Sequence, residues 1–104
     1  MRNDTLKLIK KNGASHDMYG RQTFQETATE IFCDVASIRQ TEFIEAGKIG
    51  IHPAFCFEIF SEEYGGEEEV EYLNRRFYVY RTYRNRQYPD KLELYVQERT
   101  GVNG

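Results

Sequence analysis

At 104 residues the chain has the length of one domain, and its 17 acidic residues outnumber 14 basic ones, for a formal net charge of -3. Avid binding to duplex DNA draws largely on phosphate neutralisation, so this acidic balance argues against it. The apolar runs are too short for a membrane-spanning helix, and the amino terminus lacks the apolar stretch of a secretory signal. We expect one domain over residues 1–104, kept in the cytoplasm after synthesis, with a frayed tail at about 99–104.

Six segments alternate apolar and polar residues, which is the period of a strand with one buried face. The residues that share a face within each segment are, in chain order, Leu6 and Leu8; Ile31, Cys33 and Val35; Phe55, Phe57 and Ile59; Val70 and Tyr72; Phe77, Val79 and Arg81; Leu92, Leu94 and Val96. Six such strands at short intervals predict a mostly β fold, a small closed or partly open barrel.

Turn residues separate most of these segments. Asn12-Gly13 follows the first segment and predicts a turn there, and Gly65-Gly66 separates the third strand from the fourth. Leu73-Asn74-Arg75-Arg76 lies between the fourth and fifth segments and predicts a tight hairpin with Asn74-Arg75 in the turn, because asparagine tolerates the positive φ that such turns require. Pro89-Asp90 separates the fifth strand from the last.

One segment, residues 39–47, departs from the two-residue period and predicts a short helix between the second and third strands. Thr41 is the expected cap, Glu45 lies close to the reciprocal capping position, and Gly47 is expected to end the helix. The apolar stripe is partial and consists of Phe43, Ile44 and Ala46. Such a helix is too short to be stable alone, so it must pack against the barrel or a neighbour.

The sequence gives little support for catalysis, and we expect no enzyme and no cofactor. In Ser15-His16-Asp17 three consecutive side chains cannot converge in the geometry of a catalytic triad. The cysteines and histidines lack the paired short spacings of a zinc site. Cys33 and Cys56 lie in apolar strand segments, so we expect two buried free thiols.

Charge is unevenly distributed along the chain. From Glu58 to Glu71 there are seven glutamates and no basic residue, whereas Asp90 is the only acid among the six basic residues from Arg75 to Lys91. Cross-strand pairs within one subunit would explain part of this pattern. The alternative is a set of complementary edges on neighbouring subunits, which would form a head-to-tail ring. Its contacts would be Glu67, Glu68, Glu69, Arg75, Arg76, Arg84 and Arg86.

The segment from Arg75 to Tyr88 interleaves arginines with aromatic residues. It fits a platform for stacking single-stranded nucleic acid, as in small OB-type barrels. The residues of that platform would be Arg76, Tyr78, Tyr80 and Arg81. Tyrosine and arginine are also enriched at protein interfaces, and the net acidity favours a protein partner.

Several segments together resemble the head-closure proteins of tailed bacteriophages and prophages, also described as head–tail adaptor or joining proteins. The likeness covers roughly residues 4 to 98 and depends on the order and spacing of its motifs. These motifs are Glu42-Phe43-Ile44-Glu45-Ala46-Gly47, Ile51-His52-Pro53-Ala54-Phe55, Ser61-Glu62-Glu63-Tyr64-Gly65-Gly66-Glu67, Val70-Glu71-Tyr72, Arg76-Phe77-Tyr78-Val79-Tyr80-Arg81-Thr82-Tyr83 and Lys91-Leu92-Glu93-Leu94-Tyr95.

The resemblance implies a structural protein of the virion, made in the host bacterial cytoplasm. Such proteins are small β-barrels that form a ring, dodecameric in the family, below the portal and its adaptor. The ring closes the DNA exit channel and presents a surface for tail attachment. The implied partners are the portal-adaptor (connector) protein, a tail-completion protein and packaged double-stranded DNA bound without sequence specificity, with no membrane. Copies of the chain are partners in the ring of the virion, and for the free protein a monomer is the alternative.

Carried onto this chain, the resemblance makes the helix and the following loop the channel-facing or inter-subunit element. The expected contacts are Thr41, Glu42, Phe43, Glu45, Lys48, Ile51 and His52. We expect Phe43→Ala or Ile51→Ala to impair assembly more than folding of the monomer.

Overall fold

The computed structural model describes residues 4–16, 18–20 and 22–98, so the predicted frayed tail lies outside the described residues. Within them the chain forms six strands, an α-helix called α1 and a short 3-10 turn. Their bounds are β1 Asp4–His16, β2 Gln22–Ala36, α1 Gln40–Lys48, β3 Pro53–Phe60, the 3-10 turn Ser61–Glu63, β4 Glu69–Tyr72, β5 Arg75–Arg84 and β6 Lys91–Glu98.

The strands close into a barrel in the order β1-β2-β3-β6-β5-β4, and β4 pairs with β1. Every neighbouring pair is antiparallel. The predicted mostly β barrel of six strands is confirmed in its closed form, with α1 between β2 and β3. The described part of the chain contains no helix with the length and apolarity that crossing a membrane requires.

The barrel interior holds one apolar core. Aromatic rings meet at its centre. The ring centroids of Phe57 and Tyr72 are 4.8 Å apart and those of Phe55 and Phe77 are 5.3 Å apart, and both pairs pack edge to face. The buried members come from every strand and are Leu6, Leu8, Ile31, Cys33, Phe57, Ile59, Val70, Tyr72, Phe77, Leu92, Leu94 and Val96. Both cysteines are buried thiols that are not joined in a disulfide, as predicted.

β5 changes the face it presents halfway along. Phe77 and Val79 belong to the core, but the register with β6 shifts between Val79 and Arg81, so the strand takes in Tyr80 as an extra residue. Arg81 then lies opposite Tyr95. The prediction that Arg81 shares a face with Phe77 and Val79 is therefore wrong, because a bulge interrupts the two-residue period.

β1 and β2 form a hairpin that extends beyond the barrel. The two strands pair from Asp4 to His16, whereas β1 pairs with β4 only over Lys7–Ile9 and β2 pairs with β3 only over Asp34–Ala36. We call residues 10–27, beyond the Ile9–Ala28 pair, the arm. The longest dimension of the molecule is 51 Å against 30 and 23 Å.

The arm corrects the turn that Asn12-Gly13 predicts. β1 continues to His16, and its register with β2 shifts between Asn12 and Ala14, so the strand takes in Gly13 as an extra residue. The chain instead reverses between His16 and Gln22. A glycine next to asparagine suits a bulge as well as a turn, so the pair does not distinguish them.

α1 is longer than predicted at both ends. It begins after Arg39, whose side chain makes no capping hydrogen bond, and Thr41 lies inside it, so the predicted Thr41 cap is wrong. Gly47 also lies inside the helix, which runs to Lys48. At this end of the helix it is Gly50 that has a left-handed backbone, with φ at +80°. It follows the C-cap residue Ile49, the position at which a left-handed glycine commonly terminates a helix.

A two-residue turn joins β4 to β5. Leu73 and Asn74 both have positive φ, at 52° and 63°, and Tyr72 pairs with Arg75 across the turn. These are the backbone angles of a type I′ hairpin, which the right-handed twist of the strands favours. Asn74 is in the turn as predicted, but Arg75 and Arg76 belong to β5, so the turn lies one residue earlier than the predicted Asn74-Arg75. Leu73 occupies the position where asparagine or glycine is usual.

Candidate protein-interaction site

The carboxylate of Glu42 fastens α1 to the outside of the barrel. The Tyr80 hydroxyl donates to its Oε2 at 2.7 Å, and Arg81 Nη2 donates to its Oε1 at 2.6 Å. Because β5 has a bulge here, the consecutive side chains of Tyr80 and Arg81 both reach the Glu42 carboxylate. Burial disfavours the charge of Glu42, but the hydrogen bonds from Arg81 and Tyr80 and the Arg81 charge outweigh it and lower the pKa of Glu42.

A second packed layer lies beside this anchor. The Arg81 guanidinium stacks 4.2 Å above the Tyr95 ring, and the Tyr95 hydroxyl donates to Glu93 at 2.8 Å. Cys56 lies opposite Tyr95 and is buried; burial, followed by the Glu93 charge, raises the pKa of its thiol to about 12. Ala46 is the buried residue of α1. The helix is therefore held by polar and apolar contacts together.

The opposite side of α1 is exposed and partly apolar. Phe43 is 46% exposed, Ile44 52% and Ile49, just after the helix, 74%. Lys48 pairs with Glu45 at 3.1 Å, and both side chains reach solvent. We call these five residues the helix face. Apolar side chains grouped on an exposed surface and bordered by charged ones are typical of a protein contact.

The residues predicted as contacts divide between this face and the barrel. Phe43, Glu45 and Lys48 lie on the helix face, whereas the Glu42 carboxylate is occupied within the subunit. Ile51 is half-buried, and its N–H donates to the Ala46 carbonyl at 2.9 Å, so the loop folds back against the helix. Thr41 and His52 are exposed.

Arg76 is the centre of a charged network at the base of the arm. It donates to Glu26 of β2 at 2.9 Å and to Glu71 and Glu69 of β4 at 3.1 and 3.3 Å. Lys11 of β1 meets Glu69 at 2.8 Å. The bond to Glu26, with those to Glu71 and Glu69, raises the pKa of Arg76 despite its burial. Four strands are thereby linked; we call this network the clasp.

The clasp shows how the charge asymmetry of the sequence is used. Cross-strand pairing within the subunit accounts for Glu69 and Arg76, and Arg75 pairs with Glu98 at 2.6 Å. Glu67 accepts a hydrogen bond from the Gly65 N–H. Of the seven predicted inter-subunit contacts, Glu67, Glu68, Arg84 and Arg86 form no ion pair with any residue of the described ranges. The inter-subunit role stays a prediction.

The arm is the feature that the sequence did not reveal. Its tip carries Met18 and Tyr19, which are 86% and 75% exposed, and every side chain from Gln25 to Glu30 is exposed. Residues 10–30 show no apolar alternation, and the side chains described among them are all exposed, so burial imposes no two-residue period there. The length of the polar stretch between the first two apolar segments was the available signal.

In the described residues, no group of three or more histidine, cysteine, aspartate or glutamate side chains is placed to hold a metal ion. No protein-family model matches the sequence. A search of curated proteins finds no significant match to it.

Proposed function

We propose that this chain is a structural subunit of a tailed-phage head–tail connector. Copies of it form a ring below the portal and its adaptor, close the DNA exit channel and present a surface for tail attachment. The proposal is supported by the motif resemblance and by the closed barrel with one helix between β2 and β3, which is the architecture that the resemblance implies.

The observation that carries the proposal is that α1 is anchored to the barrel on one side and exposes apolar side chains on the other. Its anchored side is fixed by Glu42, while Phe43, Ile44 and Ile49 project from the other side. Apolar side chains on a rigid support lose little conformational entropy when a partner covers them. A helix held in this way is suited to contact protein.

The helix face is assigned to a protein neighbour and not to DNA. Of the two acids of α1, Glu42 is bound to Tyr80 and Arg81 on the anchored side, and Glu45 on the helix face is paired with Lys48. Little unbalanced negative charge therefore remains on α1 to repel a DNA backbone. In the ring, α1 packs against the adaptor or the next subunit, and DNA is retained by the narrowness of the channel.

The alternative, a single-strand nucleic-acid module, would require its residues to be available. Arg76 is bound to three carboxylates, and Tyr80 and Arg81 are bound to Glu42. Exchanging these intramolecular partners for phosphates would give up charge-assisted hydrogen bonds worth roughly 1.5–3 kcal/mol each. This cost favours the connector proposal.

The test is incorporation into portal–adaptor complexes of the phage that encodes the chain. Phe43→Ala removes an exposed ring and should lower the free energy of unfolding by no more than about 1 kcal/mol, yet prevent stable incorporation. Ile51→Ala tests the half-buried side of the same element. Leu73→Ala is the matched control, because Leu73 is 71% exposed at the β4–β5 turn.

Wild-type protein that fails to join the complexes, or Phe43→Ala protein that joins as well as wild type, would contradict the proposal. Filter binding of free single-stranded DNA at several salt concentrations tests the alternative. Tight binding that weakens steeply with salt would favour the nucleic-acid module.

A further inference from the structure

The arm presents strand edges that have no neighbouring strand in the described part of the subunit. On β1, the pairing with β4 ends at Ile9, and no described strand pairs with that edge between Lys10 and His16. On β2, the pairing with β3 begins at Asp34, and the segment Ala28–Phe32 has no strand on that side. Both edges belong to the same hairpin and face away from each other.

Such a ribbon is poorly supported by itself. A two-stranded hairpin is marginally stable in water, and open edges readily pair with another chain. From Lys10 to His16 the arm adds seven residues, or roughly 24 Å at about 3.4 Å per residue, beyond the last contact with β4. Phe32, which lies in the part of β2 that has no described strand beside it, is 64% exposed. The arm has the properties of a strand pair that acquires neighbours on assembly.

The clasp gives the arm a fixed starting direction. Lys11 and Glu26, the second residue pair beyond the Ile9–Ala28 pair, are bound to Glu69 and Arg76 of the barrel. Holding the base in place reduces the entropy that the arm would lose on docking. The clasp therefore favours one geometry of contact.

The two strands of the arm carry opposite charge. After Asp4, β1 contains three lysines and no acid through to His16, and β2 contains three acids and no basic residue from Gln22 to Ala36. Lys10 and Glu30 take part in no ion pair with a described residue. A β1 edge and a β2 edge brought together would attract.

We propose that copies of this chain join through their arms, with the open β2 edge of one copy pairing antiparallel with the open β1 edge of the next. A second copy is the partner that carries the complementary charge on an open strand edge. Because the two edges differ, the contact is head-to-tail and repeats, which a closed ring requires. This inference rests on the proposed function, for which it names the strands that join the subunits.

The test is self-association of the purified full chain and of a shortened arm, measured by sedimentation equilibrium. In the shortened variant, residues 12–25 are replaced by Asn-Gly, which closes a two-residue turn between Lys11 and Glu26 and keeps the clasp. The full chain should associate, less strongly as salt rises, and the shortened chain should remain monomeric. Circular dichroism and cooperative unfolding establish that the shortened barrel folds.

A point substitution tests the same contact without altering the loop. Phe32→Ser should raise the dissociation constant roughly tenfold or more, whereas Leu73→Ser, at a similarly exposed site away from the arm, should leave it unchanged. A full chain that is monomeric up to about 1 mM, or a shortened or Phe32→Ser chain that associates like wild type, would overturn the inference. Failure to join portal–adaptor complexes despite normal self-association would instead count against the proposed function alone.

Discussion

Replacing Glu42 by alanine should loosen α1 from the barrel. The carboxylate accepts hydrogen bonds from Tyr80 and Arg81, and bonds to charged groups contribute about 1.5–3 kcal/mol each when well buried. Arg81 is 43% exposed, so water screens its share and the lower end of that range applies. We expect a loss of about 2–3 kcal/mol in the free energy of unfolding, or roughly 10–20 °C in Tm for a domain of this size.

The control is Glu45→Ala on the same helix, because Glu45 is 70% exposed and pairs only with Lys48 across one helical turn. Glu45→Ala should lower the free energy of unfolding by less than about 0.5 kcal/mol. Urea titration at neutral pH measures both changes. Equal, small losses for the two variants would show that Glu42 does not anchor the helix, and the argument that α1 presents a rigid face would be wrong.

The Glu42 anchor also has a pH signature. Since the pKa of Glu42 is lower in the folded chain than in the unfolded one, its contribution is complete above the ordinary glutamate value of about 4.3. The contribution is lost as the pH falls through the lowered value. The difference in stability between wild type and Glu42→Gln should therefore narrow below about pH 4, as thermal melts across the acid range would show.

Further predictions concern the clasp, the turn, the thiol and the core. Arg76→Met should lower the free energy of unfolding by about 2–4 kcal/mol, measured by urea titration, because three carboxylates each lose a hydrogen bond from the guanidinium. Leu73→Asn should raise the free energy of unfolding by about 1 kcal/mol in the same assay, because asparagine tolerates the φ of +52° at this position better than leucine does. Cys56, with a pKa raised to about 12, should react with iodoacetamide at pH 8 only on unfolding, followed by mass spectrometry. Phe57→Ala should cost about 3–5 kcal/mol, measured by thermal unfolding, because its ring is fully buried in the core.

The barrel was predictable because burial of one face imposes a two-residue period wherever a strand lines the core. Leu92, Leu94 and Val96 show this on β6, where all three are buried as the alternation indicates. The period failed at Tyr80 because a bulge adds one residue to β5 and reverses the face of everything after it. A bulge is decided by the contacts on both sides of a strand, and a single strand sequence does not contain them.

The site was only partly predictable for a related reason. The sequence identified a helix at the right place and named Phe43, Glu45 and Lys48, which lie on its exposed face. It could not show that Glu42 turns inward, because its partner Arg81 is 39 residues away and reaches it only through the bulge. The arm was not predicted because its exposed side chains show no two-residue alternation of apolar and polar residues.

Charges in this chain act mainly on its own elements. Glu42 with Arg81 sets the position of the helix face, and Arg76 with Glu26 sets the base of the arm. The surfaces that these pairs position are largely apolar side chains and open backbone edges. Substituting a positioning charge should therefore weaken association without removing any group that touches the partner. Such a loss would appear mainly as an entropic cost, because the mobile element must be ordered again on docking.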